Sequence, residues 1–198
     1  MAENTSATGG YLRPVIAPDE GRDLSAFIGT VLAGLTGITM PGYIRPLWQA
    51  VPPAVPEPNQ TWLAYGLQVV DVAGLSPYLS VEETTEDGAQ VEYGRMQQEE
   101  TIEVNVQVYG LHCMSYAHAI RDGLSLGQNR EAMLTYGLSY GGASNVRRVP
   151  EQVDTRWYDR ADITLTFRRQ AERTFRVLSL VKSAGEINAQ TFETATPE

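Results

Sequence analysis

At 198 residues the chain has room for one domain, or one domain with long arms, and 42% hydrophobic residues allow a core of modest size. A net charge of −9 excludes a protein that wraps nucleic acid, which needs a dense positive surface, but suits a channel through which DNA slides without sticking. No run of eighteen apolar residues is present to span a membrane, and the polar Met1–Gly10 stretch lacks signal-peptide order, so synthesis in the cytoplasm is expected.

Residues 1–22 read as an extended arm, polar and carrying Gly9-Gly10 and two prolines. Leu24, Phe27, Ile28, Val31, Leu32 and Leu35 then recur at helical spacing, with Asp23 placed to cap. Met40-Pro41-Gly42 is expected to stop this helix. Residues 44–59 hold Pro46, Pro52, Pro53, Pro56 and Pro58, a density that excludes helix and central strand and predicts an extended loop. Leu47 and Trp48 within it are expected to pin the loop to the body, or to offer it to a neighbouring subunit.

The middle of the chain is β. Thr61–Val72 alternates in part and is expected to end at Gly74; Tyr78–Thr84 reads as a short strand or as part of a long loop, and Asp87-Gly88 as a turn. Ile102, Val104, Val106 and Val108 face one way while Glu103, Asn105, Gln107 and Tyr109 face the other, the clearest strand in the sequence. Two helical pieces follow, Met114–Leu126 and Asn129–Tyr136, then a glycine-rich connection over Leu138–Asn145 and a short strand at Val146–Val149. Ala161, Ile163, Leu165 and Phe167 alternate within a strand over Trp157–Phe167, and Arg176–Lys182 alternates as a last one. Residues 186–198 read as a polar, featureless tail. The order predicts an α+β domain over 23–185: a mainly antiparallel sheet with two or three helices on one face, plus the N-terminal arm and C-terminal tail.

Charge is unusual in kind and in place. Fourteen arginines stand against a single lysine, Lys182, which fits either GC-rich codon usage or a chain rich in interface ion pairs. Eight acids and only Arg95 lie between Glu82 and Glu103, including Glu99, Glu100 and Glu103. Eight arginines against five acids lie between Arg147 and Arg176, including Arg148, Arg156 and Arg160. Opposite patches permit a head-to-tail contact that closes into a ring; alternatively they are solvated faces, or pair within one sheet.

Chemistry-bearing constellations are sparse. His112-Cys113 with His118 and Asp122 is the one group able to ligate a metal, but two of its members precede the helix that carries the others. The glycine-bearing stretches lack the lysine-and-hydroxyl ending of a phosphate loop, and no nucleophile elbow occurs. Acids of the 82–103 segment could pair as in glycosidases but read as solvated. Arg156-Trp157-Tyr158-Asp159-Arg160 interleaves cations and aromatics; in an acidic chain this reads as an interface anchor, because Trp, Tyr and Arg are the residues enriched at hot spots.

Three stretches resemble the neck and tail terminator proteins of tailed bacteriophages. They are the strand Val104–Tyr109 with Gly110 leading directly into a helix, the Asp154–Asp162 turn with Trp157 that opens an alternating strand, and the closing 176–187 segment; an upstream helix sits as the family's first helix does. The resemblance implies a non-enzymatic structural subunit of the virion neck that needs no cofactor. It also implies a ring, a hexamer, which caps the tail tube, meets a tail-tube or sheath protein and the head-tail connector, and lets DNA pass through its lumen without specific binding. From charge and residue type, the expected subunit contacts are Trp48, Arg147, Arg148, Arg156, Trp157, Tyr158 and Arg160, with Glu99, Glu100 and Glu103. A connector stopper, collar or tail-tube subunit is the alternative, and a small metal-dependent hydrolase around His112, Cys113 and His118 the remote one.

Overall fold

The computed structural model describes residues 10–17, 21–51, 53–86, 89–153, 155–177, 182–187 and 190–195. Helix α1 (Arg22–Thr36) carries the predicted stripe: Leu24, Ile28 and Leu32 are buried, and Phe27, Val31 and Leu35 pack half-buried beside them. Its cap differs from the expectation. Gly21 holds the N-cap position without a side-chain bond, and Asp23 sits inside the first turn, where a carboxylate meets the positive end of the helix dipole. Gly37 ends the helix before Met40-Pro41-Gly42 is reached: its left-handed backbone returns an N–H to the Ala33 carbonyl at 2.8 Å.

Strands β1 (Pro14–Ile16), β2 (Ile44–Pro46), β3 (Trp62–Glu86), β4 (Ala89–Tyr109), β5 (Ser139–Ala143), β6 (Arg147–Arg148) and β9 (Arg160–Val177) form one seven-stranded sheet. Its order is β1-β9-β4-β3-β2, with β5 and β6 also lying along β9. As positions in β4 rise from Glu100 to Asn105, their hydrogen-bonded partners in β9 fall from Arg169 to Thr164, the mark of an antiparallel pair. β2 runs parallel to β3, and the sheet is otherwise mainly antiparallel. Strands β7 (Glu151–Val153) and β8 (Arg156–Tyr158) pair separately, as do β10 (Lys182–Ile187) and β11 (Gln190–Ala195).

Helices α1, α2 (Cys113–Gly123) and α3 (Gly127–Leu134) cover one face of the sheet. Ile102, Val104, Val106 and Val108 of β4 and Ala161, Ile163, Leu165 and Phe167 of β9 meet Ala117, Ile120, Leu124 and Met133 in the main core. The approach of α1 to β3 is close. The Tyr65 hydroxyl donates to the Ser25 carbonyl at 2.8 Å, and a β-carbon on Gly29 would stand 2.7 Å from that hydroxyl. This α+β architecture, with its helices on one face, is the one the sequence predicts.

Several boundaries move. Gly74 does not end β3, which continues through the 78–84 segment to Glu86; residues 87 and 88, the expected turn, lie outside the described residues. The glycine-rich connection contains β5, because small residues let this edge lie against β9: a β-carbon on Gly141 would approach the Thr166 carbonyl oxygen to 3.3 Å, and the register shifts between Tyr140 and Gly142. The arm supplies β1, which pairs with Phe175 and Thr174. Residues 176 and 177 end β9 rather than starting a new strand, and residues 178–181 lie outside the described set. The tail forms the β10–β11 pair instead of remaining featureless.

The chain divides into two compact units. One comprises Met1–Pro18, Ser76–Gln97 and Glu172–Glu198; the other comprises Asp19–Leu75 and Gln98–Ala171 and holds the helices and the core. In the first, Gln97 donates to Glu172 at 3.1 Å and Arg95 pairs with the same carboxylate at 3.0 Å.

Candidate assembly surface

On the face of the sheet away from the helices, a second and smaller cluster buries Trp62, Ala64, Tyr109 and Tyr158, with Tyr43 beside it. Trp62 and Tyr109 stand on neighbouring strands, and their rings stack at 4.0 Å with 2° between planes. Arg45 of β2 lies over the other side of Trp62 at 3.9 Å, and Arg160 of β9 lies 5.9 Å from the Tyr109 ring. The result is a column of cation, indole, phenol and cation that crosses four strands, each contact adding attraction beyond area burial.

This column holds the proline-rich loop. Arg45 donates to the carbonyls of Pro53 and Ala54, each at 3.3 Å, and the Tyr158 hydroxyl donates to that of Pro56 at 3.1 Å. Arg156 pairs with Glu57, and Tyr43 donates to Gln60 at 2.6 Å. A segment rich in proline lacks backbone donors, so its carbonyls are the groups left to anchor. The expectation that Leu47 and Trp48 pin the loop is corrected: Trp48 is 81% exposed, and the holding is done by Arg45, Arg156 and Tyr158. Leu47 lies against Gly66 but remains half-exposed. The clamped loop thus presents Trp48 and Val51 to solvent, and β8 beside it presents Trp157, which is 66% exposed.

The other expected contact residues divide between surface and interior. Arg147 stands exposed on the edge strand β6, and Arg148 forks onto Asp159 with two bonds of 2.7 Å. Arg160 is largely buried and joins Glu151 and Asp162; burial opposes its charge, yet the two carboxylates more than offset this and raise its pKa. Glu99 is exposed, and Glu103 accepts from Gln68 at 3.2 Å. Glu100 is only 3% exposed and takes a 2.9 Å bond from Arg169, so it faces inward in its own chain. Tyr158 is likewise buried. Sequence reasoning missed Arg45, Trp62 and Tyr109; only strand register brings them together, and no local pattern announces it.

The Tyr109 hydroxyl lies 3.0 Å from Gln107 and 3.1 Å from Glu151, able to donate to one at a time. Burial, then the Glu151 charge, pushes its pKa from 10.0 up to about 12. The folded state therefore keeps a proton that the unfolded chain releases, and this contribution to stability is complete below pH 10 and disappears as pH rises to about 12. Denaturation midpoints across that window should fall with pH, and Tyr109→Phe should flatten the fall.

The remote enzymatic reading finds no assembled centre among the described residues: no three histidine, cysteine, aspartate or glutamate side chains group to hold a metal. Cys113 is buried, and burial raises its thiol pKa; Asp122 is engaged by Arg121 at 2.8 Å, which lowers its own.

An α+β sheet with a stiffened, aromatic-bearing loop on its open face fits a structural component, and comparison with known families places the chain among structural proteins of the bacteriophage neck. The family model described as phage neck terminator protein matches residues 22–195, and the chain belongs to that family. No curated protein matches it.

Proposed function

We propose that this neck terminator protein is a ring subunit that caps the tail tube and joins it to the head connector. The observation that carries the reading is the exposed set Trp48, Val51 and Trp157, held on a loop and strand that are anchored from beneath. Large apolar side chains kept in water on a stiff support lose little entropy when a neighbour covers them, and tryptophan is enriched at the centres of such contacts.

In this reading residues 23–185 build the ring wall, with the 44–59 loop between copies and residues 1–22 and 186–198 as arms toward neighbours. The charged rim narrows to groups not spent inside the chain, Glu99 and Arg147 among them. Tail-tube or sheath protein and the head connector are the partners outside the ring. The net charge of −9 supports a lumen that repels passing DNA. No cofactor enters the function, and the subunit is made in the host cytoplasm before it joins the virion.

Loss of the gene should give overlong or unjoined tails in electron micrographs. Full heads that leak would instead point to a connector stopper. With purified protein, Trp48→Ala should lower the oligomer mass seen by light scattering. A wild-type chain that stays monomeric even with tail and connector proteins present would sink the proposal.

A further inference from the structure

We propose that copies join margin to margin across the seven-stranded sheet, with Trp48 of one copy entering the cleft beside Arg147 of the next; this rests on the ring reading above. β2 is one margin of the sheet and β6 lies at the other, with β3, β4 and β9 between them. Trp48 follows β2 at one margin and Arg147 stands at the other end of the cleft, so their contact joins unlike ends of two copies; such a heterologous contact repeats and closes into a ring, whereas a two-fold contact pairs a surface with itself. Neither margin invites strand addition. β2 has three residues and ends in Pro46, and β6 has two, so side chains must make the contact.

The socket is a cleft of about 500 Å³ on the open face. Asn105, Gln107, Asp162 and Thr164 line it, Leu47 closes it on the β2 side, and the exposed Arg147 of β6 and Val149 just beyond form its far wall. An indole placed there meets an aliphatic side chain, a guanidinium for its face and amide oxygens for its N–H. The core-bearing unit uses the same pairing three times within itself: Arg45 over Trp62, Arg160 over Tyr109 and Arg130 over Tyr140. Among the described residues Trp48 is a ring without a cation, and Arg147 a cation without a ring or carboxylate. Charge favours a second copy as the occupant: in a chain of net charge −9, a contact of tryptophan with arginine brings no two acids together.

The test puts Trp48→Cys and Arg147→Cys in one chain, assembles it into phage necks and treats the particles with a short bis-maleimide. Cys113, only 1% exposed, stays silent. A ladder of dimers, trimers and larger species is expected from the double variant and no ladder from either single one. A dimer band from Trp48→Cys alone means a two-fold contact and overturns the proposal. No ladder from particles whose rings are visible by microscopy overturns the docking and leaves the ring standing, while one copy per particle removes the ring reading itself. If the cysteine pair blocks assembly, Trp48→Ala mixed with Arg147→Glu decides. Each lacks a different half of the contact, so the mixture should yield dimers and nothing larger, and a mixture that stays monomeric overturns the assignment.

Discussion

Glu100→Gln should cost about 3 kcal/mol of folding stability, by removing the buried negative charge that the Arg169 guanidinium bonds. Glu100 is 3% exposed, and the Arg169 side chain that donates to it at 2.9 Å is nearly as deeply enclosed. The pair continues the inward-facing rows of β4 and β9, one step beyond Ile102 and Phe167, where the apolar core gives way to charge. Bringing two ions out of water is expensive, and their attraction roughly offsets that cost only while both are present. The neighbouring Glu99→Gln, on the exposed face of the same strand, should therefore change stability by no more than about 0.5 kcal/mol. Replacing both partners, Glu100→Leu with Arg169→Met, should recover much of the loss, since both charges then leave the interior. Urea denaturation of the four proteins checks the pattern. A single Glu100→Gln change as mild as Glu99→Gln would show that the pair carries no such coupling.

This pair also bears on what the charge segregation means. An acidic stretch and an arginine-rich stretch invite a contact between subunits, but β4 and β9 are neighbours in one sheet, and antiparallel register sets Glu100 against Arg169 within the chain. Arg148, Arg156 and Arg160 likewise find Asp159, Glu57, Glu151 and Asp162 within the chain. Among the described residues these four arginines are thus engaged within the chain, while Trp48 and Trp157 stand exposed.

Periodicity made the core legible. The α1 stripe and the alternations at 102–108 and 161–167 are strong because each element buries one face against another. Where that asymmetry weakens, the sequence falls silent. Over 168–177 polar residues occupy both faces of β9, so nothing marks its continuation; at β5 the glycines that permit close pairing read as a loop. The cation–aromatic column was invisible for a different reason. Arg45, Trp62, Tyr109 and Arg160 come from four strands, and only pairing register aligns them. Trp48 and Trp157 could be named as candidate contacts from type alone, whereas the part played by Arg45 and Tyr109 beneath them could not.

Gly110→Ala should be among the most damaging single substitutions in the chain, lowering stability by about 3 kcal/mol and the melting temperature by on the order of 10 °C. Gly110 ends β4 and turns the chain toward α2 with a φ of +103°, a conformation that L side chains rarely adopt. Space is lacking as well. An added β-carbon would lie 2.4 Å from the Gln60 carbonyl oxygen and 2.9 Å from the Thr61 α-carbon, both backbone atoms that cannot swing aside. The turn is tied in place from two directions: the Gly110 N–H donates to the Asp159 carbonyl at 2.9 Å, and its own carbonyl receives the Cys113 N–H at 3.1 Å. Relief of the clash therefore shifts the start of β3, the entry to β9 or the first turn of α2. Those first two movements reach Trp62, Tyr109 and Tyr158, so the loop that presents Trp48 should loosen along with the core. Hydrogen exchange should rise across residues 44–60 as well as around 110 in this variant. Gly34→Ala supplies the contrast, because that position lies in α1 with nothing within 4 Å of a β-carbon, and there alanine should stabilise by about 0.5–1 kcal/mol. If Gly110→Ala melts with the wild type, the close approach of residues 60 and 61 is not what fixes this corner.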